Sequence, residues 1–303
     1  LQVLLHAWSL GTSLLSGKLR AHQLPALAVE AGFEGVEWLD RLLPSFEPSF
    51  WQELQQAQQE AGANSAALSL YLELNAPPTL VAEQVDRAKR LLGQCRLLNV
   101  RTVRVSVGGG GATLSRVLMH LERLRSATSR DQVPLGRLSQ WLYRLAFKSA
   151  NEHRHKLPPP AGESALQSAA WALQPLARQA QELGLLLGVE NHFGLTAHPE
   201  DILKLIELTG QGLGVCLDLG NFCDDQDALA ACRTLAPFTV HVHFKTLQPR
   251  PQTKDSGIDY AACLKALHSA GYTGAFSAEY QGRGEGLAGA KAGADLLRRL
   301  WEP

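Results

Sequence analysis

The chain has no apolar run that reaches the ~18 residues of a membrane span, so no membrane association is expected. It has no net charge either, with Lys plus Arg and Asp plus Glu at 29 each. Proteins that bind polyanions usually present a basic surface, so no nucleic-acid partner is expected. No Cys-x-x-Cys pair occurs among Cys95, Cys216, Cys223, Cys232 and Cys263. An odd set of scattered cysteines reads as buried free thiols, which suits a reducing, cytoplasmic setting. The N-terminal Leu1–Leu5 lacks the basic region and length of a signal peptide and reads as a strand. Gly108–Gly111 is not followed by Gly-Lys-Ser/Thr, so it is not a P-loop. It reads as a hinge or as a cradle of backbone amides for phosphate.

What the chain does have is enough apolar material for a large core, 45% hydrophobic against 19% charged. Strand-like runs recur at Val3–Trp8, Gly35–Trp38, Ala66–Tyr71, Thr102–Val107, Leu185–Val189, Gly214–Leu217, Val240–Phe244 and Ala275–Ala278. Helical patterns follow each run, over 22–31, 48–61, 79–98, 163–183, 199–209, 225–235, 258–270 and 287–301. Glycine just past several of them (Gly32, Gly62, Gly184, Gly210, Gly271) marks their ends. Eight strand–helix units predict one α/β domain over 1–303, a (β/α)8 TIM barrel. One interval is too long. It implies an insertion of roughly 50 residues, 113–162, between the fourth strand and the fourth helix, with helical pieces and a Pro-rich end. His153 and His155 in it stand beside Arg154 and Lys156 and read as a solvated basic tract rather than a metal site.

Four strands end alike. Leu185–Val189 is apolar and is followed at once by Glu190, Asn191 and His192. Asp218, His243 and Glu279 close or follow the next three strands. A carboxylate after a buried strand is costly unless paired or bound to a metal. In a closed barrel these residues converge at the carboxyl ends of the strands, where ligands bind. Three crowded carboxylates repel one another, and a divalent cation removes the conflict. Three oxygen donors and one imidazole suit one ion of Mn2+, Mg2+, Co2+ or Zn2+.

The stretches Gly32–Glu37, Gly188–His192, Asp218–Asn221, His241–Lys245 and Ser277–Tyr280 resemble the xylose isomerase-like TIM barrel family, which holds sugar isomerases and epimerases and shares its barrel with endonuclease IV-type enzymes. The resemblance spans the chain except the insertion. It implies that Glu190, Asp218, His243 and Glu279 bind one divalent metal, and that Glu190 and Glu279 move protons on opposite faces of the substrate. The implied activity is a metal-dependent isomerisation or epimerisation of a small polyhydroxylated carbonyl compound through a cis-enediolate. A dehydratase of a keto-polyol and a non-catalytic sugar-binding barrel are the alternatives.

Candidate substrate contacts are His192, Asn221, Lys245, Glu37, Trp8 and Arg283. Asn221 stands where many relatives carry His. Lys245 follows His243 by two and shares its face, as does the deeper His241, which reads as packing. Glu37 reads equally as an ion-pair partner. Trp8 and Trp38 are candidate apolar walls for a sugar, and Arg283 with Glu285 a clamp at the open end.

Two departures narrow the reading. The best-known ketose 3-epimerases carry a further Glu and a further Arg where Thr196 and Pro249 fall, with Arg250 adjacent. That points away from a free-ketohexose 3-epimerase. The endonuclease branch needs many strand-end histidines, and strands two to four end in Trp38, Tyr71 and Ser106 to Gly108. Relatives often form dimers or tetramers, so a homo-oligomer is compatible with the resemblance.

Overall fold

A computed structural model describes residues 1–108, 156–247, 254–255 and 257–301. Its barrel strands are β1 (Val3–His6), β2 (Gly35–Leu39), β3 (Ser65–Tyr71), β4 (Val100–Ser106), β5 (Leu186–Glu190), β6 (Leu213–Asp218), β7 (Thr239–Thr246) and β8 (Phe276–Tyr280). All pair in parallel with their sequence neighbours, and β1 closes the ring on β8. Between them run α1 (Leu24–Glu30), α2 (Pro48–Glu60), α3 (Pro78–Gln94), α4 (Glu163–Glu182), α5 (Pro199–Thr209), α6 (Ala228–Leu235) and α7 (Tyr260–Ser269), with α8 (Gly286–Trp301) last. This is the expected (β/α)8 TIM barrel. Among the described residues no helix is long and apolar enough to cross a membrane.

The parity of each strand decides what the barrel holds. Successive side chains on a strand face opposite ways. His6 on β1, Glu37 on β2, His241 and His243 on β7 and Ser277 on β8 meet across the barrel axis, which fixes the inward parity. The opposite parity, with Trp38, Leu68, Val103, Leu187 and Val242, is fully buried against the helices. Each such side chain contributes about 1.5–3 kcal/mol by leaving water. Small residues on α4, such as Ala169, Ala172 and Ala177, let that helix lie close to the sheet. A Cβ on Gly212, whose φ is +93, would stand 2.8 Å from the carbonyl oxygen of Ala177.

Three differences from the sequence reading bear on the site. First, β1 ends at His6 instead of Trp8, because the His6 Nδ1 accepts the Trp8 backbone N–H at 3.1 Å and turns Ala7–Leu10 into a 3-10 helix. Second, Trp38 faces outward and is fully buried, so it is no wall for a ligand. Third, β7 continues through Lys245 to Thr246. Most of the expected insertion, with His153 and His155, lies outside the described residues. Its last part is docked: Leu157 N–H donates to Asp225, Ala161 N–H to Asp201, and the His198 Nε2 meets the Pro158 carbonyl at 2.6 Å.

Candidate metal centre

The centre is built upward from a buried floor. Glu37, fully buried, accepts from the Ser69 hydroxyl at 2.6 Å and lies 3.0 Å from the Nε2 atoms of both His241 and His243. The Ser277 hydroxyl meets the same His241 nitrogen at 3.0 Å. The His6 Nδ1 is occupied as an acceptor, so its proton sits on Nε2, 3.6 Å from Glu37. Burial pushes the Glu37 carboxyl up, but His243, His6 and His241 overcome it and hold it well below the usual carboxylate range. The floor therefore carries a full negative charge under His243.

With Nε2 on Glu37, His243 points Nδ1 at three carboxylates. Glu190 Oε1 is 3.0 Å away, Glu279 Oε2 3.5 Å and Asp218 Oδ2 3.8 Å. Despite these neighbours Nδ1 is buried and makes no hydrogen bond. Burial opposes the imidazolium, yet Cys216, Glu37 and Asp218 together raise the His243 pKa well above its ordinary value. The Cys216 thiol is itself pushed up to about 12 by burial, so Glu37 and Asp218 are the working anions at neutral pH.

Each carboxylate is held from its own strand end. The second oxygen of Glu190 accepts from Arg104 on β4. Burial raises the Glu190 pKa, and Arg104 then His243 bring it well below the usual range. Asp218 Oδ1 accepts the Gly220 N–H at 2.7 Å, and Oδ2 accepts from Lys245 at 2.9 Å. Lys245 likewise outweighs burial and lowers the Asp218 pKa. Glu279 Oε1 accepts from Gln281 at 2.7 Å and lies 3.3 Å from Lys245. Asn191 pairs with the Asp218 backbone in both directions, accepting its N–H at 2.6 Å and donating to its carbonyl at 2.8 Å. That side chain ties the tip of β5 to the tip of β6.

The residues fit a divalent ion on two counts. Among the described residues, Glu37, Glu190, Asp218 and Glu279 face two permanent cations, Arg104 and Lys245, so two negative charges are left once His243 gives up its extra proton to take an ion in its place. An imidazole nitrogen without a hydrogen bond stands beside three carboxylate oxygens, a hard, oxygen-rich donor set. The Glu37–His243 bond is of the kind that orients histidines which bind metals. The three tight His/Cys/carboxylate groups among the described residues all include His243, and between them they also include Glu190 and Glu279. Asp218 belongs to none of them; Lys245 holds its near oxygen.

The remaining expected residues divide. Lys245 and Asn221 are buried at the centre and joined to each other at 2.8 Å. His192 is partly exposed, with Nε2 3.9 Å from Glu190 and its ring edge-on to Tyr71 and Phe193. Burial lowers its pKa to about 4, so it is neutral near pH 7. Glu37, read either as a substrate contact or as an ion-pair partner, lies beneath His243 with both oxygens engaged by histidines. Trp8 is half-buried on the 3-10 turn after β1, and Arg283 is exposed in the loop after β8. Sequence reasoning missed Arg104, Asn191 and the floor role of His6. Arg104 left a signal: a charge at inward parity within the buried run Thr102–Val107.

A closed parallel barrel with acidic and imidazole groups gathered at its carboxyl ends defines a TIM barrel with a strand-end site. More narrowly, the chain belongs to the xylose isomerase-like TIM barrel family, whose pattern matches residues 25–300. It is similar to the structure of an L-ribulose 3-epimerase at 18% identity, with a TM-score of 0.68, over 99% of this chain and 94% of that one. It is similar to D-psicose 3-epimerase with D-tagatose from Clostridium cellulolyticum H10 at 13% identity and a TM-score of 0.65, over 100% of both chains. A xylose isomerase-like TIM barrel protein from Mycobacterium smegmatis in complex with magnesium matches at 16% identity and 0.65, over 93% and 88%. At these identities the likeness is one of fold. No curated protein sequence matches the chain.

Proposed function

We propose that the protein is a divalent-metal-dependent epimerase or isomerase of a small polyhydroxylated carbonyl compound. The observation that carries this is the unbonded Nδ1 of His243 facing Glu190, Asp218 and Glu279. Glu190, Asp218, His243 and Glu279 would hold the ion, which when bound supplies a Lewis acid that acidifies the C–H between a carbonyl and a hydroxyl. Glu190 and Glu279 stand on β5 and β8 and would flank that carbon, one taking the proton and the other returning it to the opposite face of the cis-enediolate. Lys245 and Asn221 would hold substrate hydroxyls beside Asp218, and His192, neutral at pH 7, would close the Glu190 side. Trp8 and Arg283 would meet the substrate at the rim. The sugar epimerases among the structural neighbours support the substrate class, and the magnesium-bound neighbour supports a divalent ion. A reducing, cytoplasmic setting accords with five free, buried cysteines.

The test has two parts. Purified protein is expected to hold one divalent ion per chain, measured by elemental analysis, and Glu279→Gln to lose it. Full occupancy in that variant sinks the ligand set. A turned-over ketose is expected to take up deuterium from the solvent at the epimerised carbon. Turnover without uptake removes the enediolate, and loss of water seen by mass moves the reaction to dehydration.

A further inference from the structure

The chemistry of Arg104 is only half accounted for by its bond to Glu190. It lies on the inward face of β4, and its register partner on β5 is Gly188, which places no side chain beside it. The side chain is buried. Nη2 donates to Glu190 Oε2, and the guanidinium carbon stands 4.3 Å from the centre of the Tyr71 ring, which holds the plane of the fork. The other two nitrogens, Nε and Nη1, are buried and have no partner. A buried, charged donor without an acceptor is costly, and such a group in a folded protein calls for a missing partner.

Two neighbours share this condition. His192 Nδ1 and Asn221 Nδ2 are buried without acceptors. Each of the three side chains is tied to the centre by its other polar atom. Arg104 holds Glu190, His192 places Nε2 3.9 Å from the same carboxylate, and Asn221 reaches Asp218 through Lys245. Unfilled donors that surround a set of carboxylates are what an oxygen-rich ligand would fill. Arg104 differs from the other two in carrying a permanent charge, so it favours the oxygen that becomes most negative.

Building on the enediolate reading above, we infer that Arg104 touches the substrate and donates from Nε and Nη1 to the substrate oxygen that gains charge as the C–H bond breaks. One guanidinium then serves two partners, aiming Glu190 and binding the group on which Glu190 acts. No proton leaves Arg104 in this role. It acts as a fixed hydrogen-bond donor.

Arg104→Lys keeps a cation for Glu190 and removes both unfilled donors. In protein incubated with Mn2+, with D-tagatose as the probe, the variant is expected to bind the sugar about ten- to a hundred-fold more weakly. Its Mn2+ content is expected to stay near wild type, because the lysine still faces Glu190; sugar affinity lost only in step with Mn2+ marks a role through Glu190 alone and overturns the inference. Equal tagatose affinity in the two proteins overturns the inference and leaves the proposed function standing. Should the variant fail to fold, wild-type protein labelled with 15N at arginine Nε decides the matter. The Arg104 Nε–H signal is assigned by its contacts with the Tyr71 ring, over which the guanidinium lies. That signal is expected to shift when tagatose binds, and bound tagatose without a shift overturns the inference. If wild-type protein turns over another ketose and does not bind tagatose, that ketose replaces tagatose as the probe in both comparisons; wild-type protein that holds Mn2+ but neither binds nor turns over any ketose overturns the enediolate reading, and this inference falls with it.

Discussion

Replacing Glu37 by Gln changes one oxygen to an amide nitrogen at the base of the centre. In the structure both oxygens of Glu37 accept, one from Ser69 and His243 and the other from His241. Glutamine keeps one acceptor and turns the second position into a donor, so one of the two histidines meets a donor where it had an anion. A hydrogen bond to a charged group is worth about 1.5–3 kcal/mol. The melting temperature should therefore fall by about 3–6 °C, taking roughly 2 °C per kcal/mol for a chain of this size. The effect on metal binding is the sharper measure. An anion behind a ligating imidazole fixes its tautomer and raises its basicity, and its removal typically costs about ten- to a hundred-fold in affinity. Calorimetric titration of metal-stripped Glu37→Gln with Mn2+ should show a loss of that size, while Glu37→Asp, which keeps the charge at shorter reach, should fall between. A folded Glu37→Gln protein that binds Mn2+ within two-fold of wild type would refute the claim that Glu37 orients a metal-binding His243.

Other perturbations test separate parts of the centre. Asn191→Ala removes the acceptor of the Asp218 N–H and one of the two donors to its carbonyl, the other being the Asn221 N–H, and should lower stability to urea by about 1–3 kcal/mol. His192, with its pKa lowered from 6.5 to about 4, binds fewer protons folded than unfolded between those values. Its contribution is present above pH 6.5 and is lost as pH falls toward 4, at most about 3 kcal/mol given its partial exposure. His192→Gln should flatten the stability profile in that window and leave it unchanged above pH 7, as followed by thermal melts. Gly220→Ala would place a Cβ 2.7–2.8 Å from the Lys245 side-chain carbons. It should displace Lys245 from Asp218 at a cost of about 1–3 kcal/mol, and an unchanged melting temperature would show that the two segments separate freely.

The eight strands and the strand-end residues were legible because each is local: an apolar run, then an abrupt carboxylate or imidazole. What was not legible depends on depth and on distant partners. Glu37 could be placed at the end of a strand, but not at a level beneath His243, whose position 206 residues away decides its role. Arg104 and Glu190 are 86 residues apart, and neither run shows that they meet. Trp38 and Glu37 are adjacent on a strand buried on both faces, so composition alone does not say which one looks inward. The early end of β1 follows from a side chain, His6, capturing a backbone N–H two residues on.

The floor of Glu37, His241 and Ser277 has a kinetic consequence. All three are without solvent exposure, and His241 links Glu37 to Ser277, so the barrel is closed at this level. An ion that reaches His243 would then arrive from the carboxyl ends of the strands, the side from which the proposed substrate would come. If the centre takes an ion and a sugar as proposed, the ion would load before the ligand and leave after it. A bound ligand would act as a stopper, slowing release of the ion to a chelator by a factor that grows with ligand concentration.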